Sequence, residues 1–314
     1  IENSKKKIIK SSRKISDILF ENITLIFALV IIASVLLIFY EMFRDSAVSR
    51  EKFGFGFITS MKWDSVREEY GALTFIYGTV VSSLLALIIA LPVSIGVAVF
   101  LTEIANSFLK TTVSFLIEIL AAIPSIIYGF WGIFVLAPFM RSTVQPALQE
   151  SLGFLPIFGG NAAGFGLLTA GIILAIMITP IITAITRDVL KAIPVSQREA
   201  AYALGSTKWE SIKMALLNAK SGILGATVLG LGRAVGETMA VTMVIGNKAQ
   251  IKESLFEPAY SMASVIANEF AEASGNLHIS ALIEVGLILF GVTFIINSMA
   301  RLLIYSFTRK TQAR

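Results

Sequence analysis

Residues 198–247 read REAAYALGSTKWESIKMALLNAKSGILGATVLGLGRAVGETMAVTMVIGN, and this stretch decides the fold. Its first half is polar and amphipathic, whereas its second half is apolar enough to cross a bilayer. Two ionisable residues, Arg233 and Glu237, are embedded in the apolar half. A polar helical segment that leads into a membrane span with a buried ion pair is typical of a transport protein driven from outside the membrane.

The composition extends this conclusion to the whole chain. The 314 residues are 55% hydrophobic and 15% charged, and they include no cysteine. Long apolar runs in such a chain predict an all-α, polytopic membrane protein, and the lack of cysteine excludes disulfides and thiolate metal sites. The net charge of +5 does not indicate a nucleic-acid partner, because the basic residues cluster in the loops between apolar runs.

The apolar runs also divide the chain into segments. We predict a basic cytoplasmic tail over 1–19, a first span over 20–43, an extracytoplasmic loop over 44–71, a core of five spans over 72–305 and a cytoplasmic tail over 306–314. The five core spans are placed at 72–101, 112–139, 163–186, 220–246 and 280–305. The long polar connection 187–219 joins the fourth and fifth spans of the whole chain.

The distribution of basic residues predicts the orientation of the spans. Six spans place both termini on one side of the membrane. With the termini inside, the inner segments carry 16 Lys and Arg residues and the outer loops carry 8. Such an excess of basic residues is typical of cytoplasmic loops, so we expect cytoplasmic termini and a cytoplasmic connection 187–219.

This connection has the pattern of two helices separated by a glycine. Ser196 and Glu199 have the spacing of a capping box, and Gly205 is expected to end the first helix. The second helix carries apolar residues such as Trp209. Such a pair of helices is able to seat in a cleft of a partner protein, although an interfacial amphipathic linker gives the same periodicity.

The sequence of this connection resembles a known motif. Glu199, Ala200 and Ala201, followed by Gly205, are similar to the EAA motif of ABC-transporter permease subunits. The usual Ile-x-Leu-Pro ending of the motif is replaced here by residues 215–218, ALLN. The resemblance implies a MetI-like permease fold. It also implies that these four matching residues couple the permease to a cytoplasmic ATPase.

Three further stretches narrow the resemblance to the phosphate-specific branch of these permeases. They are YGALTFIYGTVV at 70–81, AAIPSIIYGFWGIFVLAP at 121–138 and GLGRAVGETMAV at 230–241. The resemblance implies a multi-pass protein of the bacterial inner membrane that forms a heterodimer with a second permease subunit. Two ATP-binding subunits, an extracytoplasmic phosphate-binding protein, inorganic phosphate and membrane lipid are the other implied partners, and no cofactor is implied.

Arg233 and Glu237 are the residues for which the sequence predicts direct contact with a translocated anion. They are four positions apart, so they are predicted to share one helix face. Arginine stays protonated and offers a planar fork for phosphate oxygens, while the carboxylate neutralises it when no substrate is bound. A structural ion pair that locks two spans is the alternative. The resemblance favours transport, because the pair matches residues implicated in phosphate passage.

Other functions are weighed against this one. The chain has no Gly-x4-Gly-Lys-Ser/Thr loop and no Ser-His-Asp or paired-carboxylate arrangement, so we expect a transport subunit and not an enzyme. A permease for another oxyanion, molybdate or sulfate, is the nearest alternative. An ion-coupled secondary transporter would not need the EAA-like segment, and a purely structural scaffold would leave the buried charges unexplained.

Overall fold

The computed structural model of the protein describes residues 15–312, and within this range it is built of helices without any named strand. The α-helices are α1 Ile15–Asp45, α2 Ala47–Phe53, α3 Gly56–Thr59, α4 Leu73–Val99, α5 Ser107–Ala122, α6 Ser125–Trp131, α7 Ala137–Phe139, α8 Gln145–Leu152, α9 Leu167–Lys191, α10 Val195–Ala203, α11 Lys208–Val235, α12 Met239–Val244, α13 Met262–Glu269 and α14 Asn276–Gln312. Three π-helical turns, Phe100–Ile104, Gly132–Leu136 and Met140–Val144, extend or join α4, α6, α7 and α8.

Within the described residues, six helical segments are long and apolar enough to cross a membrane, as the sequence predicts. They are Leu19–Asp45, Leu73–Ile104, Ser125–Leu152, Leu167–Lys191, Lys208–Val235 and Asn276–Met299. The all-α fold class and the number of spans are therefore confirmed. The position of the third span and both ends of the fifth span differ from the prediction.

The predicted third span, 112–139, combines parts of two separate helices. Helix α5 ends at Ala122, and the chain is extended at Ile123 and Pro124 before α6 begins. Proline has no backbone N–H to donate and disfavours helical dihedrals in the residue before it, so a helix ends readily at this point. The third spanning segment is Ser125–Leu152, and it includes much of the predicted loop 140–162.

The fifth span also differs from its prediction of 220–246. Helix α11 begins at Lys208, inside the predicted connection 187–219, and runs without a break to Val235. It ends at Gly236, and a separate short helix, α12, follows. Glycine in a helix interior costs about 1 kcal/mol relative to alanine, and the polar residues after Gly236 further favour a break.

Helix α9 is the central helix of the bundle. Two thirds of its membrane-spanning window, 67%, is buried inside the protein, more than in any other described span. Two glycines bring the neighbouring helices close to it, because a methyl group at Gly171 would lie 2.8 Å from Leu85 and one at Gly230 would lie 2.7 Å from Ile182. Small residues at helix contacts permit this close packing within a membrane.

Helix α1 forms a unit by itself, distinct from residues 46–314. The predicted tail 1–19 lies largely outside the described residues, although α1 includes its last five positions. The predicted tail 306–314 begins inside α14, which continues to Gln312.

The core beyond residue 45 consists of three clusters of buried side chains. The largest surrounds α9 in the middle of the bundle. A second, formed by residues of the 44–71 loop together with the start of α4, α13 and the start of α14, includes Phe57, Phe75 and Val265. A third, which includes Ala98, Leu190 and Ala219, lies where α4 and α9 end, close to α10. The bundle therefore has an end that carries α13 and an opposite end that carries α10.

Candidate translocation path and coupling segment

Arg233 lies in the last turn of α11, and its side chain is exposed. Gly230, one turn earlier, packs against Ile178 and Ile182 in the middle of α9, so Arg233 lies near mid-height in the bundle. Among residues 15–312, its guanidinium has neither a hydrogen bond nor an ion pair. Its positive charge stabilises the carboxyl end of α11. Any hydrogen-bond acceptor for its five N–H donors lies outside the described residues.

Glu237 is not paired with Arg233, so the predicted ion pair on one helix face is wrong. The reason is the end of α11 at Val235, which places Glu237 in the non-helical link before α12. One carboxylate oxygen accepts a long hydrogen bond, 3.5 Å, from the backbone N–H of Ala240. The negative charge of Glu237 therefore stabilises the amino end of α12. An anion is able to bind Arg233 without displacing a carboxylate.

A second interrupted helix lies beside the first. Helix α12 packs against α6, which begins just after the break at Pro124. Tyr128 of α6 interacts electrostatically with Arg233, and its hydroxyl donates a 2.8 Å hydrogen bond to the backbone oxygen of Leu120. Helices interrupted within the membrane are typical of substrate sites in transporters, because their free ends are tolerated only where they line a cavity.

The glycines around Arg233 have different surroundings. Gly232 lies beside α14, since a methyl group at this position would be 3.5 Å from the side-chain oxygen of Asn297. Among the described residues, a methyl group at Gly236 would approach only the backbone oxygen of Gly232 in α11 itself, at 3.7 Å. Of these two glycines, Gly232 is therefore the one that lies close to a neighbouring helix.

The predicted coupling segment forms two helices with a glycine corner, as expected. Helix α10 ends at Ala203, and Gly205 adopts a φ of +81°, a conformation that favours glycine. The N–H groups of Gly205 and Ser206 donate to the carbonyls of Tyr202 and Ala201, which is the pattern of a Schellman cap. A side chain at position 205 would meet no atom of this chain within 4 Å. Substitution there would therefore act through backbone strain or through a partner.

The capping box is not at the predicted place. Helix α10 begins at Val195 after Pro194 and has no side-chain cap, so Ser196 lies within the first turn. The box forms instead at the start of α11, where Thr207 and Glu210 exchange hydrogen bonds with each other's backbone N–H groups. Proline just before the helix fixes the chain direction there without a polar cap.

The residues of the EAA-like motif have different exposures. Glu199 and Ala200 are exposed, whereas Ala201 is 5% exposed and packs inward. Large exposed apolar side chains surround the motif, namely Val195 at 64%, Tyr202 at 50%, Leu204 at 88% and Trp209 at 66%. An apolar surface of this kind on a polar connection is typical of a site that a partner protein covers.

Arg198, immediately before the motif, is a residue that the sequence analysis missed. Its guanidinium forms a 2.7 Å ion pair with Glu103, at the end of α4, and both side chains are largely buried. It also donates to the backbone oxygens of Leu190, at the end of α9, and Ile193, in the connection that follows. Arg198 thus ties α10 to the ends of two spanning helices.

Another missed site lies at the opposite end of the bundle. His278 lies in the first turn of α14 and is 8% exposed. Its ring stacks on Tyr70, and Glu269 interacts with both His278, at 3.3 Å, and the indole N–H of Trp63, at 2.8 Å. Burial raises the pKa of Tyr70, so its hydroxyl stays protonated at neutral pH. These contacts join the 44–71 loop to α13 and α14.

Among the residues that the structure describes, no group of three or more His, Cys, Asp or Glu side chains is placed to hold a metal ion. Three ionisable residues described so far have a candidate role: Arg233 and Glu237 near mid-height, and Arg198 within α10.

The helical core and the interrupted spans define a class of membrane permease. Residues 90–308 match the model of the family described as binding-protein-dependent transport system inner membrane component. The fold is similar to that of a chain in inward-facing structures of the MetNI methionine ABC transporter, with a TM-score of 0.55 and 22% identity over 77% of this chain and 95% of that one.

More similar relatives extend along nearly the whole chain. A phosphate transport system permease protein PstC from Pasteurella multocida is 49% identical and covers 94% of each chain. The protein of the same name from Mesorhizobium japonicum is 44% identical over 95% of this chain and 93% of its own. The chain therefore belongs to the PstC family of inner membrane permeases.

Proposed function

We propose that this protein is a permease subunit of an ATP-driven importer of inorganic phosphate and forms part of the translocation path. The observation that carries the proposal is the guanidinium of Arg233, which has no hydrogen bond or ion pair among the described residues and lies near mid-height beside two interrupted helices. The phosphate transport function named for its full-length relatives supports the choice of anion. Glu237, four positions later, would reset the site by competing for Arg233 when the link between α11 and α12 moves.

The proposed partners follow from the class of protein and from the surface around α10. We expect a second permease subunit of the PstA type, two ATP-binding subunits and an extracytoplasmic phosphate-binding protein. Glu199, Ala200 and Gly205 lie on the exposed apolar surface that would contact an ATPase. Ala201 would contribute by packing α10 against the bundle, because its side chain is buried.

Uptake by the reconstituted complex of all these subunits tests the proposed function. We expect ATP-dependent uptake of labelled phosphate that excess molybdate or sulfate does not reduce. Uptake of either competitor in place of phosphate would identify a different oxyanion. Uptake that continues without the ATP-binding subunits, driven by an ion gradient, would instead identify a secondary transporter.

The proposed orientation, with both termini cytoplasmic, gives a separate prediction. The chain lacks cysteine, so single introduced cysteines have no background. Ser65 and Ser274 are exposed at the end of the bundle that carries α13, and Ser107 is exposed at the opposite end. In intact cells, a membrane-impermeant maleimide should label cysteines at 65 and 274. It should label a cysteine at 107 only after permeabilisation.

Labelling at position 107 in intact cells, without labelling at 65 and 274, would reverse the proposed orientation. These positions are chosen for exposure. Other serines in the same segments, such as Ser211 and Ser261, are 2% and 3% exposed and would react slowly on either side.

A further inference from the structure

One face of α14 carries a polar stripe, formed by Thr293, Asn297 and Arg301. These residues recur at every fourth position, so they lie above one another on the helix. With Ser298 and Gly232 of α11 they line a cleft of about 610 Å³ between the two helices. Within residues 15–312, none of the four polar side chains has a hydrogen bond or ion pair.

The packing of the helices gives the height of this cleft. Gly222 of α11 lies against Val189 near the end of α9, whereas Gly230 lies against Ile178 and Ile182 in its middle. Gly232, beside Asn297, is therefore near mid-height in the bundle. Arg301 lies one turn, about 6 Å, further along α14 toward the end that carries α10.

The chemistry of the cleft favours an anion. Its polar lining consists of hydroxyl groups, one amide and one guanidinium, and it includes no carboxylate. All of these groups donate hydrogen bonds, and the guanidinium adds a positive charge. Polar groups without partners are unfavourable inside a membrane, so their presence in a span indicates contact with water, a substrate or another chain.

We propose that this cleft is the inner part of the anion path, which accepts phosphate after Arg233 and leads it past Arg301 toward the cytoplasm. The proposal rests on the proposed function and adds a second cationic position to it. Gly232 links the two positions, because it lies next to Arg233 in the chain and beside Asn297 in space. The competing explanation is that the stripe packs directly against the second permease subunit and is not exposed to water.

Thiol accessibility in the reconstituted complex distinguishes these explanations. Single cysteines at 293 and 297 are compared with controls at Ile295 and Met299, which lie on the other face of α14 and are 57% and 60% exposed. A small anionic methanethiosulfonate should react with the stripe positions at least about tenfold faster than with the controls, because thiolates form in water and not in lipid. Inorganic phosphate should slow the reaction at the stripe only.

Equal, slow reaction at all four positions would overturn the proposal, as would oxidative cross-linking of position 297 to the second permease subunit. If sulfate or molybdate protects and phosphate does not, the cleft remains an anion path and the proposed substrate is wrong. A failure of the proposed anion path and a failure of the proposed substrate therefore give different results in the same experiment.

Substitution of Arg301 is the second measurement. Arg301→Gln should reduce uptake by about tenfold, and Arg301→Lys should restore part of it, since lysine keeps the charge but loses the planar fork. ATP hydrolysis stimulated by the binding protein should change by less than about twofold, because none of the residues that line the cleft belongs to α10, the helix proposed to contact the ATPase. Uptake by Arg301→Gln at the parental rate would contradict the proposal.

Discussion

Replacing Arg233 by glutamine should sharply reduce phosphate uptake while the subunit still assembles with its ATP-binding partners. The guanidinium has no partner among the described residues, so its removal leaves no buried group unpaired and should not unfold the protein. A hydrogen bond to a charged group contributes about 1.5–3 kcal/mol, so we expect uptake to fall by about 10- to 100-fold. Uptake and ATP hydrolysis are measured together on the purified, reconstituted complex.

Two further variants make this test specific. Arg233→Lys should recover only part of the activity, because an ammonium group does not reproduce the bidentate geometry. Arg44→Gln removes an arginine of α1 whose exposed side chain pairs with Glu41 and Asp45, so it serves as the matched control. Parental uptake by Arg233→Gln would mean that the guanidinium only stabilises the end of α11 and that phosphate passes elsewhere.

Substitution of Glu237 should reduce phosphate uptake less than substitution of Arg233, because the two side chains are not paired. If the two side chains were an ion pair, Glu237→Gln would have nearly the effect of Arg233→Gln. Because Glu237 instead accepts from the Ala240 N–H at the start of α12, we expect its removal to slow turnover without abolishing phosphate uptake.

The spans and the coupling corner were predictable because their signals are local. Apolar length identifies a membrane helix wherever it occurs, and the positive φ of Gly205 follows from a glycine placed directly after a helical pattern. The start of α11 at Lys208 was missed, because the fifth span was placed at 220–246, although residues 215–218, which replace the motif's usual proline, are compatible with a helix.

The breaks within spans were harder to predict because two local signals compete there. Apolar composition favours a continuous span across Pro124, whereas the proline itself favours an end, and length alone does not decide between them. The same competition at Gly236 led to the wrong ion pair. The four-residue spacing of Arg233 and Glu237 predicts a shared face only where the helix continues between them.

Contacts between distant positions were not accessible from the sequence. Arg198 and Glu103 are 95 positions apart, and no periodicity relates them. The burial of His278 was not predictable, because its contacts with Tyr70 and Glu269 form only when the 44–71 loop, α13 and α14 pack together. A basic residue directly beside an EAA-like motif was the one available signal for Arg198.

The contacts of Arg198 lead to the second large expected effect, a loss of coupling. Helix α10 carries the surface proposed to contact the ATPase, and Arg198 ties it to α4 through Glu103 and to the end of α9 through Leu190. Arg198→Gln would leave the largely buried Glu103 carboxylate without its cation, at a cost of about 1–3 kcal/mol. In this variant, movement of α10 should be transmitted less effectively to α4 and α9. We therefore expect the amount of phosphate transported per ATP hydrolysed to fall by about tenfold.

The measurement is the ratio of phosphate uptake to ATP hydrolysis in the reconstituted complex, together with the yield of ATPase that copurifies. Glu103→Gln should lower the ratio as well, and the double variant should lose little more than either single one, because both remove the same interaction. Lys191→Gln, at an exposed basic residue at the end of α9, is the matched control. A normal ratio in Arg198→Gln, with normal ATPase yield, would show that α10 transmits its motion through the connection to α11 and not through this ion pair.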